Sequence, residues 1–150
     1  MLWRIKMKIL VINGPNLNLT GIRAPEIYGT DTLADIMNEL NTFLESCNSE
    51  LFAVQTNHEG EIIDLIHSAM GTIDGIIINA GAYTHYSYAI RDAIEACGIP
   101  TVEVHLSDIN NREDFRKISV LKDVCIAQIS GKGKRGYFEA AELLRSRAMN

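Results

Sequence analysis

The 150-residue chain holds only three cysteines, three prolines and one tryptophan, and it has no excess of positive charge. Fourteen Lys+Arg stand against nineteen Asp+Glu, a formal net charge of −5. A nucleic-acid binder needs a basic footprint to neutralise phosphates, so this balance argues against that class. Long apolar runs are also missing. The strongest, at residues 9–12 and 75–78, fall far short of the roughly 18–20 residues that span a membrane. Two basic residues near the start lack the apolar stretch and small-residue cleavage pattern of a secretory signal. Residues 1–7 therefore read as an N-terminal extension ahead of the first strand. Cys47, Cys97 and Cys125 are odd in number and form no Cys-x-x-Cys pair, which fits reduced, small apolar residues in a cytoplasmic protein. The four histidines (58, 67, 85 and 105) make no His-x-x-x-His pair, so no metal site is expected.

Hydrophobic residues make up 47% and charged residues 22% of the chain, an ordinary globular balance. At this length one domain, residues 1–150, can bury about two-thirds of its unfolded surface without a staple. The apolar pattern alternates strand and helix. Continuous apolar runs predict strands at residues 8–13, 51–56, 75–79, 101–105 and 124–129. Thr32-Leu-Ala-Asp35 reads as a capping box that opens a helix with Leu33, Ile36, Met37, Leu40, Phe43, Leu44 and Cys47 on one face. Further helices are expected at 59–70, closed by Gly71, at 86–96, and at 137–147, with a short one around 112–117. Five β-α repeats with right-handed crossovers imply a flavodoxin-like three-layer α/β sandwich, its parallel sheet in the order 2-1-3-4-5.

In such sheets ligands bind beyond the carboxyl ends of the strands. After the first strand runs a long connection, residues 13–29, that contains Arg23 and Tyr28. A phenol is a weak base at pKa ~10, but a neighbouring guanidinium favours the phenolate. The third strand opens into Asn79-Ala-Gly-Ala-Tyr-Thr-His85, whose small residues allow close backbone approach. The fourth ends at Glu103, His105, Leu106 and Ser107. These loops carry no lysine, so an imine nucleophile is not expected. No Gly-x-Gly-x-x-Gly or Walker lysine follows the first strand. Gly131-Lys-Gly-Lys-Arg-Gly136 has the composition of a phosphate loop but the wrong spacing, and reads as a basic surface turn. At this level three functions stay open: an acid–base enzyme, a partner-binding module and a nucleotide-binding domain.

Five segments narrow the choice. Asn13-Gly-Pro-Asn-Leu-Asn-Leu, Arg23 through Tyr28-Gly29, Asn57-His-Glu-Gly-Glu, Asn79 through His85, and Glu103-Val-His-Leu-Ser107 closely resemble the type II 3-dehydroquinate dehydratases. The likeness runs in order from about residue 8 to residue 142. It implies dehydration of 3-dehydroquinate to 3-dehydroshikimate, in the shikimate route or in quinate breakdown, with neither cofactor nor metal. It also implies a homo-dodecamer built as a tetramer of trimers. By position, Tyr28 would be the base, Arg23 would hold it as phenolate, and Asn16 would help stabilise the enolate. His105 would protonate the departing hydroxyl, with Glu103 orienting it. Asn79, His85, Arg116 and the backbone of Leu106 and Ser107 would hold the substrate, while Asp92 would reach a neighbouring subunit's site. The chain departs from the family pattern at Asp108 and Asn110, which alter the charge near the pocket. Tyr86 and Tyr88 depart too and are expected to crowd the start of the third helix, and Lys117-Ile118-Ser119 lacks the histidine often seen there. Activity is expected to survive all three departures.

Overall fold

A computed structural model describes residues 5–22, 24–28 and 30–150, the side chains of Ile27 and Tyr28 excepted. The strands are β1 (Met7–Asn13), β2 (Ser49–Gln55), β3 (Gly75–Asn79), β4 (Thr101–His105) and β5 (Ala127–Ser130). All pair in parallel, in the order β2-β1-β3-β4-β5. Five helices follow: α1 (Pro25–Tyr28), α2 (Leu33–Ser46), α3 (Glu59–Ala69), α4 (Tyr88–Cys97) and α5 (Arg135–Ala148).

The period-2 alternation of the strands sorts the core into two layers. Ile9, Val11, Ile77, Val102 and Val104 pack against Ile36, Leu40 and Leu44 of α2 and against Tyr137, Ala140 and Leu144 of α5. The intervening residues Leu10, Ile12, Ile76 and Ile78 meet Ile62 and Ile66 of α3 and Ile90, Ala93 and Ile94 of α4. Burying each Leu or Ile side chain contributes roughly 1.5–3 kcal/mol. The capping box forms as expected: Thr32 Oγ1 accepts from the Asp35 N–H at 3.1 Å, and the Asp35 carboxylate accepts from the Thr32 N–H at 3.0 Å.

Several boundaries move. Met7 pairs with Ser49, so the sheet takes the last residue assigned to the extension; residues 1–4 lie outside the described residues. The helix expected at 86–96 is α4 and starts at Tyr88, because Gly81–His85 winds a 3-10 turn and the Ser87 hydroxyl accepts from the Ile90 N–H at 3.1 Å. β5 starts at Ala127. The Ser119 hydroxyl accepts from the N–H groups of Leu121 and Lys122 at 3.1 and 3.2 Å, drawing that segment into a turn and leaving Cys125 outside the strand. The helix expected around 112–117 is instead a pair of 3-10 turns, Ile109–Asn111 and Asp114–Arg116. The long connection after β1 holds a 3-10 turn at Leu17–Leu19 and helix α1.

The 131–136 segment is a surface turn whose two lysines are spent on neighbours. Lys134 meets Asp31 and Glu39 at 3.0 and 3.2 Å, and Lys132 meets Glu139 at 2.8 Å. Among the described residues, no helix is long and apolar enough to cross a membrane.

Candidate active site

Register brings the strand ends level: Asn13 stands beside Gln55 of β2 and Asn79 of β3. The first and third loops are then stapled together by the Gly14 N–H, which donates to the Asn79 carbonyl at 2.7 Å. Position 14 must be glycine, because a Cβ there would lie 2.6 Å from the Ala80 carbonyl carbon and oxygen. Gln55 Nε2 donates to the Gly14 carbonyl, and Asn57 Oδ1 accepts from the Asn16 N–H at 3.0 Å. That contact holds Asn16 in the left-handed region at φ 69°.

A cleft of about 120 Å³ opens over these ends. Asn16, Asn79, His85, His105, Leu106, Ser107 and Arg116, seven of the residues expected from sequence, line it together with Arg112. Asp92 does not; it stands exposed on α4. Arg23 and the side chain of Tyr28 lie outside the described residues, although the Tyr28 backbone closes α1.

His105 and Glu103 sit two residues apart on β4 and so share a face. Glu103 is fully buried. Its Oε1 accepts from Ser119 Oγ at 2.8 Å, and its Oε2 accepts from Gln128 Nε2 at 2.9 Å and from His105 Nε2. Burial alone would raise the carboxyl pKa. The hydrogen bond and charge of His105, with the donors of Gln128 and Ser119, outweigh it and hold the group below 4.5. An ionised Glu103 only accepts, so His105 Nε2 carries a hydrogen. Among the described residues His105 Nδ1 makes no hydrogen bond.

His85 is fixed the other way round. Its Nδ1 lies 2.7 Å from the Ile118 carbonyl, and its ring meets the edge of Phe115 at 6.3 Å. A carbonyl only accepts, so Nδ1 is protonated and Nε2 is left as the acceptor. Burial pushes the His85 pKa below 6.5; the Ile118 carbonyl pulls it up, and the charges of His105 and Arg116 push it down again.

Arg116 pairs through Nε with Glu113 and stacks its guanidinium 4.7 Å from the Phe115 ring centre. Arg112, which sequence reasoning did not select, donates to Ser107 Oγ at 3.2 Å. Its signal was available: a second arginine four residues before Arg116 in the loop after β4. Both guanidiniums line the cleft, and that of Arg116 is offset in part by Glu113. The Leu106 and Ser107 carbonyls accept from Gly133 and Gly131 N–H at 3.0 and 3.1 Å.

The departures from the family pattern fall beside the cleft and do not line it. The Asp108 carboxylate caps its own turn, accepting from Asn110 N–H and Asn111 Nδ2 at 3.0 Å each. Tyr86 and Tyr88 are 60% and 66% exposed, so they point away from the helix they were expected to crowd. Ile118 contributes its carbonyl to His85.

The class II dehydroquinase family model matches residues 7–145. The chain belongs to that family of enzymes. A protein of Caldicellulosiruptor saccharolyticus named 3-dehydroquinate dehydratase is 55% identical over 139 residues, which is 92% of this chain and 96% of the relative. One of Verticillium alfalfae named catabolic 3-dehydroquinase is 51% identical over 90% of each chain. The crystal structure of a type II dehydroquinase from Butyrivibrio crossotus superimposes with a TM-score of 0.92 at 52% identity, covering 93% of this chain and 98% of that one. The flavodoxin-like fold and five-strand order are thus those of a type II dehydroquinase. Among class II dehydroquinases the cleft described above is the candidate catalytic site.

Proposed function

We propose that the protein dehydrates 3-dehydroquinate to 3-dehydroshikimate by an anti elimination through an enolate. The observation that carries this reading is His105, a cleft-wall imidazole whose Nε2 is held by a buried, ionised Glu103. With Nε2 occupied, a protonated His105 has Nδ1–H to give, which suits a general acid.

Tyr28, as phenolate beside Arg23, removes the proton α to the ketone, and the electron pair moves onto the carbonyl oxygen. Asn16 supports that developing oxyanion, directly or through water. Collapse of the enolate forms the carbon–carbon double bond and breaks the carbon–oxygen bond. His105 protonates the leaving hydroxyl, which departs as water. Arg116 and the turn at Leu106 and Ser107 hold the carboxylate and hydroxyls, together with Asn79 and the Nε2 acceptor of His85. Tyrosine base and histidine acid supply both proton transfers, so the scheme requires neither metal nor cofactor.

The reaction belongs in this reading to the shikimate pathway of a cytoplasmic enzyme. The subunit works in a dodecamer, a tetramer of trimers, where Asp92 reaches a neighbour's cleft. Exposed Asp92, the outward Tyr86 and Tyr88, and Phe115 and Ile118, 59% and 63% exposed, support an assembly on that side. The edge of β2, unpaired among the described residues and with Phe52 exposed, offers a second contact.

The test is turnover. Purified protein given 3-dehydroquinate is expected to produce a conjugated enone, seen as rising ultraviolet absorbance, and no rise would overturn the reading. Borohydride added with substrate is expected to trap no adduct; a trapped adduct would point to an imine instead.

A further inference from the structure

Beneath the cleft floor lies a buried polar chain of which the proposed reaction uses only Asn79. The Gly81 N–H donates to Asn79 Oδ1 at 3.3 Å, and Asn79 Nδ2 donates to Tyr137 Oη at 3.1 Å. Tyr137 Oη donates to Asn13 Oδ1 at 2.7 Å, and Asn13 Nδ2 donates to Met37 Sδ at 3.7 Å. Tyr137 is fully buried, and Asn13 and Asn79 are 1% and 3% exposed. Four distant segments are joined: the ends of β1 and β3, α2 and the start of α5.

The direction of this chain is not arbitrary. A backbone N–H can only donate and a thioether can only accept, so the two ends fix every group between them. A phenol has one hydrogen. Once it is given to Asn13, Tyr137 must accept from Asn79, and the Asn79 amide cannot turn over. We propose that Tyr137 is the positioning residue for Asn79: its hydroxyl locks the amide so that the cleft meets one defined arrangement of donor and acceptor. What remains unspent on Asn79 is one N–H and one lone pair, a pattern that matches a hydroxyl, which both donates and accepts. The ligand group at Asn79 is therefore a hydroxyl in preference to a carboxylate. Burial also raises the Tyr137 pKa above its ordinary value despite the Asn79 bond, so the phenol keeps the hydrogen the chain needs.

This inference rests on the proposed reaction only for its kinetic readout. Tyr137→Phe keeps the ring and removes the hydroxyl. Losing one net hydrogen bond is worth about 0.5–1.5 kcal/mol, so KM is expected to rise roughly 2–12-fold. kcat should stay within about twofold, since the contact is made equally in ground and transition states. In an Asn79→Ala background the same substitution should have no further effect on KM, whereas simple loosening of the core would still act there. Asn13→Ala, outside the cleft lining, should raise KM in the same way and serves if Tyr137→Phe does not fold. A crystal structure of whichever variant folds, at a resolution that separates amide nitrogen from oxygen, should show Asn79 turned over or in a second side-chain conformation. An unchanged KM, an effect that persists without Asn79, or an unmoved Asn79 would each overturn the proposal. A displaced Asn79 with a wild type inert toward 3-dehydroquinate would uphold the positioning and overturn only the reaction.

Discussion

Replacing Glu103 by glutamine exchanges one acceptor oxygen for an NH₂ group in a place built for an acceptor. The carboxylate receives His105 Nε2, Gln128 Nε2 and Ser119 Oγ, and it has no exposed surface through which water could repair a mismatch. In Glu103→Gln the new NH₂ faces a donor. Either a buried N–H goes unpaired, costing about 1–3 kcal/mol, or His105 accepts at Nε2 and its proton moves to Nδ1. The second route preserves the fold but leaves His105 neutral and a poor acid, because the imidazolium loses the anion that stabilises it. General acid catalysis is worth about 10²–10⁴-fold, so kcat is expected to fall by at least about 100-fold. Glu103 does not line the cleft, so KM should change little. The assay is the initial rate of enone formation at saturating 3-dehydroquinate, with the thermal midpoint as a check on folding. A stability loss in this range lowers that midpoint by roughly 2–4 °C per kcal/mol. A variant within about threefold of wild-type kcat, with its fold intact, would refute the role of Glu103.

Other expectations follow from local geometry. Thr32→Ala removes the capping hydroxyl of α2 and should cost about 1 kcal/mol in chemical denaturation, half or more of which Thr32→Ser restores. Gly14→Ala drives a Cβ against the Ala80 carbonyl at 2.6 Å; overpacking costs about 1–3 kcal/mol and parts the two loops, so the thermal midpoint should fall and KM should rise. The folded-state pKa of His85 is depressed below 6.5. Its neutral form therefore favours folding above that pH, and this contribution is lost as pH falls through the folded pKa. Wild type should lose more stability between pH 7.5 and pH 5 than His85→Asn does, measured by denaturant midpoint.

The strands that lie buried on both faces were the most legible. β3 and β4 have the bounds their continuous apolar runs predict, because no side of those strands meets water. The start of α2 was equally plain, since a capping box is a local device written in four residues. β5 and the segment before it were misread because Ser119 hydrogen-bonds two later N–H groups, and propensity is blind to a hydroxyl used that way. At the site, the residues flanking strand ends could be found from the strand map alone. Arg112 looked like one more charge on a polar loop. Tyr137 looked like the first apolar residue of a helix. Its partners lie 58 and 124 residues away, and only the folded sheet brings them together. Arg23 and the Tyr28 side chain lie outside the described residues, so their assignment rests on sequence and family.

The central claim is an elimination begun by Tyr28 and completed by His105. Its most direct test is the rate of enone formation from 3-dehydroquinate by wild type and Tyr28→Phe, measured side by side at neutral pH without added metal or cofactor. Turnover by wild type and a loss of about 100-fold or more in the variant is the predicted result. No turnover by wild type, or an undiminished rate in Tyr28→Phe, would contradict it.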